Sequence, residues 1–388
     1  MAQADATAYV LLDDGSRFDG IACGADEPAV GEIVFTTSMA GYQEAMTDPS
    51  YAGQLITFTY PQIGNYGVMA EAMESDRVHA RAAIMRAAVD REDAGGRGRI
   101  KGGWCSWLTD CGIPAITDLD TRALVRHIRD RGAMRGGVFP ASISERQANA
   151  LIDAEPPMTG RDLAREVSPA QTSVLQPTGG APRTVRIAMI DTGVKRSIVE
   201  NLRARGAIVE LHPCTDSPHE LLAGRPDAVF LANGPGDPAA LGYVVDTVRE
   251  CVGTLPVYGI CLGHQLLCRA VGLETYKLAF GHHGANHPVK DLTTGITEIT
   301  SQNHGFAVLG PGGARTIDDD EPVRWETDFG AAELTHINLY DRTVEGLVLR
   351  DVQGATVQYH PEAGPGPNDA LHLFDRFVTE IAATAAAS

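Results

Sequence analysis

The sequence predicts an α/β protein of two domains. One is an N-terminal mixed β/α domain, and the other a C-terminal open, mostly parallel α/β sheet. Three observations carry this. The chain has 388 residues, more than one ordinary core organises. From residue 185 onward, short apolar strands alternate with amphipathic helices, the pattern of βαβ units with helices on both faces of a sheet. Between this half and the first lie residues 168–184 (SPAQTSVLQPTGGAPRT), rich in Pro, Ser, Thr and Gly, which reads as a linker. The expected division is therefore 1–167, a linker over 168–184, and 185–388.

In the first half, the apolar run Ala8 to Leu12, the turn signal Asp13-Asp14-Gly15 and the run Arg17 to Ile21 form a hairpin pattern. Ile33 to Thr37 and Gln54 to Tyr60 read as strands. Thr121 to Arg131 reads as a helix, with Leu124, Val125 and Ile128 on one face and Arg122, Arg126 and Arg129 on another. In the second half, Val185 to Ile190 is a strand. Lys195 to Arg205 is a helix stopped by Gly206. Ile208 to Leu211 and Ala228 to Leu231 are strands, and the second runs into the loop Asn233-Gly234-Pro235-Gly236-Asp237. Leu241 to Val252 is a helix, Val257 to Ile260 a strand, and Gly263 to Val271 a helix closed by Gly272.

Composition narrows the class of function. At 44% hydrophobic and 21% charged residues, the chain is that of a globular protein. A net charge of −18 argues against nucleic acid and against an anionic membrane surface as partners. The seven cysteines (23, 105, 111, 214, 251, 261, 268) are odd in number and contain no C-x-x-C pair. Neither a disulfide framework nor a zinc ribbon is expected, and a reducing compartment fits. The N-terminus shows no signal-peptide pattern, and no run of 18 apolar residues occurs. The cytoplasm is the expected location.

The chemistry concentrates in three stretches. In Val257-Tyr258-Gly259-Ile260-Cys261-Leu262-Gly263-His264-Gln265 a buried strand runs into Cys261 and a helix leaves at once. This is a nucleophile elbow with sulfur in place of oxygen. The flanking glycines remove Cβ atoms from the sharp turn, and the helix N-terminus favours a thiolate. The N–H of Leu262 is suited to hold an oxyanion. In Val357-Gln358-Tyr359-His360-Pro361-Glu362 a strand ends at His360 and Glu362 follows two residues on, so imidazole and carboxylate project to the same side of an extended chain. Glu362 can then orient His360 as a base toward the sulfur. The third stretch is the Asn233–Pro238 loop, which follows a strand like Cys261 and so opens onto the same crevice.

Together, G-I-C-L-G-H-Q, N-G-P-G-D-P and H-P-E resemble the class I glutamine amidotransferases. Further stretches are similar to carbamoyl-phosphate synthase small subunits. They include Gly31 to Tyr51, Thr59-Tyr60-Pro61, Ile63 to Gly67, Asp120-Thr121-Arg122, Gly132 to Gly136, Gly193 to Arg196, Phe280 to Gly284, Asn286 to Lys290 and Gln302 to Phe306. The resemblance runs from about residue 8 to 378. It implies a class I glutamine amidotransferase fold for the second domain and a catalytic triad of Cys261, His360 and Glu362. It also implies L-glutamine contacts at Ser50, Gly234, Gly236, Leu262, Gln265, Asn303, Gly305 and Phe306. Ser50 lies in the N-terminal domain, which would also contact the large subunit. The resemblance implies that this partner holds ATP and Mg, which the absence of a P-loop pattern here fits, and that this chain carries no cofactor of its own. Higher oligomers of the heterodimer are left open. Gly364, where the family usually has Ser, and Tyr340 and Arg342, where it has Asn and Gly, depart from the pattern.

Several features have plainer readings. His282, His283 and His287 crowd together, but the resemblance places them in a structural loop and no Cys or carboxylate completes a ligand set, so no metal is expected. Cys268 reads as core. The arginines between 122 and 135 read as a solvated or subunit-facing helix. Two rival functions remain: a free-standing cysteine hydrolase, which the elbow alone permits, and a catalytically silent binding subunit, against which the intact Cys–His–Glu set speaks.

Overall fold

Asp13-Asp14-Gly15 turns the chain between β1 (Ala8–Leu12) and β2 (Arg17–Ala22), with Gly15 at φ 84°, a conformation that costs glycine nothing. In the computed structural model this hairpin belongs to a seven-stranded closed barrel. Residues 7–90, 103–180, 184–318 and 322–387 are described. They fall into two compact units: one runs to Arg161 and includes Ala279–Gly284, the other takes Asp162–Leu278 and the chain from Ala285.

The other barrel strands are β3 (Ala29–Thr36), β4 (Gln54–Phe58), β5 (Ala82–Ile84), β6 (Ala115–Thr117) and β7 (Met134–Pro140), in the order β1-β2-β6-β5-β4-β3-β7. β1 is apolar throughout because both of its faces are covered. Val10 and Leu12 share one cluster with Ile33, Leu55, Ile84 and Ile116 from neighbouring strands, the set that faces the barrel interior. Tyr9 and Leu11 turn outward onto Ala148 and Ile152. Those two side chains come from α4 (Glu145–Ala154), which follows α1 (Tyr42–Thr47), α2 (Trp104–Asp110) and α3 (Thr121–Arg131). Asp120 caps α3 by accepting the Ala123 N–H at 3.0 Å, and Leu124 and Ile128 join the interior cluster. Barrel closure was not legible from the strand pattern, since it depends on β1 meeting β7.

The second unit begins with α5 (Ala164–Val167) and β8 (Ser173–Leu175), both within or next to the stretch read as linker. Ala164 packs into this unit's core, and β8 pairs antiparallel with β10 at the sheet edge. An exposed edge strand has the polar composition of a linker, so composition alone does not separate the two; residues 181–183 of the stretch lie outside the described residues. There follow β9 (Val185–Asp191), α6 (Arg196–Ala204), β10 (Ala207–Pro213), α7 (Pro218–Ala223), β11 (Ala228–Leu231), α8 (Gly242–Cys251), β12 (Val257–Ile260) and α9 (Leu262–Ala270). Then come β13 (Thr275–Asp291), β14 (Thr297–Val308), β15 (Arg324–Thr327), β16 (Gly330–Asn338), β17 (Val344–Leu349), β18 (Gly354–Val357) and α10 (His372–Ala387).

The parallel centre of the sheet is β10-β9-β11-β12-β18. Beyond β18 the pairing turns antiparallel through β17 and β16 to β13, with β14 last in the order. One face is covered by α7, α8 and α9 through Leu221, Val244, Val248 and Leu266. The other is covered by α6 and α10 through Ile198, Leu202, Phe374 and Phe377. No helix among the described residues is long and apolar enough to cross a membrane.

Leu55, fully buried in the barrel, tests this packing. Leu55→Ala should cost the first unit about 2–5 kcal/mol, read as a lower urea midpoint of its unfolding transition.

Candidate active site

β12 and β18 are parallel neighbours, with Ile260 opposite Val357. The residues that follow each strand therefore emerge side by side at the carboxyl end of the sheet. The Cys261 N–H donates to the Val357 carbonyl at 2.9 Å, which fixes that register at the elbow itself. Cys261 stands at φ 56°, ψ −107°, a backbone conformation costly for any residue with a Cβ. The turn is tight enough to require both flanking glycines. A Cβ on Gly259 would lie 2.7 Å from the Gly263 carbonyl, and one on Gly263 would lie 2.2 Å from the Leu231 carbonyl. Leu262 opens α9, so its N–H has no acceptor within the helix.

β18 ends at Val357, three residues short of the histidine that the sequence puts at its tip. His360 is instead held by an antiparallel bridge to Ser301 of β14, its N–H donating to the Ser301 carbonyl at 2.9 Å. The chain bends after it, yet Glu362 still returns its Oε1 to 2.6 Å from His360 Nδ1. The imidazole Nε2 has no hydrogen-bond partner. It lies near enough to the Cys261 sulfur to feel its charge, without a formed hydrogen bond.

A residue given no role in the sequence completes this row. Lys195, 2% exposed, directs Nζ to Glu362 Oε1 at 2.9 Å and to the Ala363 carbonyl at 2.6 Å. Its own N–H donates to Asn233 Oδ1 at 3.0 Å, tying the turn after β9 to the Asn233 loop. The signal was present in Gly193-Val194-Lys195: a lysine just past a strand of a parallel sheet sits where such folds build sites.

Burial disfavours a charged Glu362, but Lys195 and His360 outweigh it and bring the carboxyl down to about 2. Burial likewise opposes protonation of His360, and the Glu362 and Cys261 charges overcome it, raising the imidazole to about 10.

The residues expected to contact glutamine divide by unit. Ser50 belongs to the first unit, in the turn Pro49–Tyr51, where its N–H donates to Asp48 Oδ1 at 2.8 Å. The others surround the elbow. Gly234 packs so closely that an added Cβ would meet the Thr192 carbonyl at 2.2 Å and Leu262 Cδ2 at 3.0 Å. Gly236 stands at φ 95°. The Asn303 carbonyl accepts from the Cys261 thiol at 3.5 Å. Gly305 and Phe306 follow on β14, where Lys277 Nζ sits 5.1 Å from the Phe306 ring centre. Gln265 spends both Nε2 protons inside the protein, on the Phe306 carbonyl at 2.8 Å and on Gln358 Oε1 at 3.0 Å. Only its Oε1 remains for a ligand. His304 flanks the same carbonyl, with Nδ1 2.7 Å from Phe306 O and Nε2 2.9 Å from Gln302 Oε1.

Cys268 is buried in the core, where desolvation raises its thiol well above the usual range. Of the departures, Gly364 lies at φ 55° directly after Ala363 at φ 61°, so glycine relieves the second of two left-handed residues. Tyr340 is exposed and donates to the Asn286 carbonyl at 3.0 Å.

Comparison with known proteins agrees with this geometry. Residues 188–380 match the family of class-I glutamine amidotransferases, whose match spans the cysteine elbow and the histidine–glutamate pair. Residues 10–138 match the CPSase domain of the carbamoyl-phosphate synthase small chain. Carbamoyl phosphate synthase small chains from Chlorobaculum tepidum and Syntrophotalea carbinolica are 43% and 44% identical to this chain. The alignments cover 96% and 95% of this chain, and 97% and 96% of those proteins. The small chain from Thioalkalivibrio sulfidiphilus is 44% identical over 96% of each chain. The chain belongs to the carbamoyl-phosphate synthase small-chain family.

Two outcomes test the site's architecture. Lys195→Met leaves a buried carboxylate short of one cation and should cost about 3–5 kcal/mol, read by urea denaturation. In the wild type, His360 has a folded-state pKa raised from 6.5 to about 10. Its stabilising charge is fully present below the unfolded value and is lost as pH rises through the folded one. Glu362 is depressed from 4.5 to about 2, so its contribution holds above 4.5 and is lost as pH falls through 2. The stability difference between wild type and His360→Gln should therefore be flat between pH 4.5 and 6.5 and shrink steadily as pH rises from 6.5 toward 10.

Proposed function

We propose that the chain is the glutaminase of a carbamoyl-phosphate synthase, hydrolysing L-glutamine to glutamate and ammonia through Cys261, His360 and Glu362. The observation that carries this is the 2.6 Å Glu362–His360 contact with the free imidazole Nε2 turned to the elbow sulfur. A silent subunit would have no use for a strained cysteine paired with a protonated base.

In the proposed reaction the Cys261 thiolate adds to the amide carbon of glutamine. The resulting oxyanion is met by the Leu262 N–H and by amides of the Gly234 loop, each such donor being worth about 100- to 1000-fold. His360 passes its Nε2 proton to the amide nitrogen, the C–N bond breaks, and ammonia leaves a glutamyl thioester. His360, now neutral, takes a proton from water as that water attacks the thioester. Glutamate departs and the thiolate and imidazolium are restored. General acid–base help of this kind contributes about 100- to 10,000-fold. The balance is glutamine plus water to glutamate plus ammonia.

Ammonia would then pass to a large subunit that makes carbamoyl phosphate from bicarbonate, with ATP and Mg bound on that partner, in the cytoplasm, for pyrimidine and arginine synthesis. Membership of the small-chain family supports a large-chain partner. Gly234, Gly236, Leu262, Gln265, Asn303, Gly305 and Phe306 would bind the glutamine. Ser50 enters this reading through resemblance rather than through geometry.

Cys261→Ala should abolish glutamine-dependent carbamoyl phosphate synthesis by the reconstituted complex while leaving ammonia-dependent synthesis intact. A variant that still consumed glutamine at the wild-type rate would overturn the assignment.

A further inference from the structure

The chain carries 50 acidic residues against 32 Lys and Arg, so an exposed arginine has a surplus of carboxylates to choose from. Helix α3 nevertheless gathers three arginines on one stripe, Arg122, Arg126 and Arg129, spaced i, i+4 and i+7. Among the described residues Arg122 and Arg126 have no ion pair or hydrogen-bond acceptor, and Arg129 meets only its neighbour Asp130, at 2.8 Å. Like charges four residues apart destabilise a helix. Arg122 also sits in the first turn, where the helix dipole is positive and the carboxylate just before the helix, Asp120, is engaged in capping it through the Ala123 N–H. The helix is held by Leu124 and Ile128 on its buried side.

The three guanidinium groups border an open groove of about 500 Å³, with Thr59, Thr121 and the half-buried Val125 completing its lining. The Thr59 hydroxyl is already spent on the Thr36 carbonyl at 2.9 Å. The groove therefore offers an apolar floor and cationic walls without an acidic counterpart. Arginine around a small apolar centre is the usual make-up of a protein interface.

We infer that the arginine face of α3 is a docking surface for an acidic patch on the synthase large chain. This rests on the reading of the chain as a synthase subunit and names the face that engages the partner. Carboxylates from the partner would give the arginines the acceptors that their own chain does not, and would steer association at low salt.

The test is a binding titration of the full-length chain against its large chain at about 50 mM and about 500 mM salt. R122E/R126E/R129E should bind at least about tenfold more weakly and lose most of the wild-type salt dependence. R146E, a single reversal on the exposed face of α4 to be compared with the single-site reversals R122E and R126E, should bind like wild type. Labelling of Cys261 by a glutamine-like chloroketone and the far-UV spectrum should be unchanged in both. Should the triple reversal fail to fold, R122Q/R126Q/R129Q and its single-site variants should show a graded loss. Wild-type affinity and salt slope in the folded reversal or glutamine variants would overturn the proposal, as would protection of the groove by free phosphate alone with partner binding intact. A wild-type chain whose Cys261 is not labelled points instead at the glutaminase reading, independently of the arginines.

Discussion

A carboxylate taken out of water at the end of a sheet has to be held by cations, and the site is organised around that requirement. Glu362 Oε1 receives both the His360 imidazole and the Lys195 ammonium, while Oε2 has no partner. Two cations on one carboxylate leave a surplus positive charge in a buried place, on the side that faces the Cys261 sulfur. In the row from Lys195 through Glu362 and His360 toward Cys261, neither the carboxylate nor the two cations would be stable there alone. The ionisations of Glu362 and His360 depend on each other, so the histidine is fixed in orientation and held charged before any ligand arrives.

Holding the sulfur in that row imposes a second constraint, on backbone. The elbow needs Cys261 in a strained conformation, and strain of this kind persists only where the surroundings over-determine it. Here they do so by contact. Gly259 and Gly263 let β12 and α9 close to within distances that no Cβ allows, and the Leu231 carbonyl of β11 presses on the same turn. Gly234 extends the contact to the Asn233 loop. Four glycine-dependent or strained positions thus meet at one point. A substitution at any of them moves the Cys261 sulfur rather than merely loosening the fold.

How much of this the residues announce depends on the range of the interaction. The elbow was legible because strand, cysteine, glycines and helix are contiguous. His360 and Glu362 were legible as a pair because they are two residues apart, although the expectation of a strand running to His360 was too simple: the strand stops at Val357 and Ser301 holds the histidine. Lys195 lies 167 residues from Glu362, and no local pattern joins them. Barrel closure through β1 and β7 is hidden for the same reason. The antiparallel half of the second sheet begins where the βαβ rhythm ends, and residues 168–184, polar like a linker, still supply the edge strand β8.

That antiparallel half is what makes the site rigid. The Gln358 N–H donates to the Glu345 carbonyl of β17 at 2.8 Å, and two residues later His360 donates to Ser301 of β14. The chain carrying the base is thereby sewn to two strands outside the parallel core. β14 continues from Ser301 through Asn303 to Phe306, whose carbonyl is clamped by Gln265 of α9 and by His304. Cys261, His360 and the wall beside them are therefore joined through peptide and side-chain hydrogen bonds that need no ligand to form. Groups fixed in this way do not have to reorganise when charge develops on a bound amide, and most of an enzyme's electrostatic advantage over water comes from avoiding that reorganisation. A parallel sheet alone would supply the crevice; the strands added beyond β18 supply its fixed geometry.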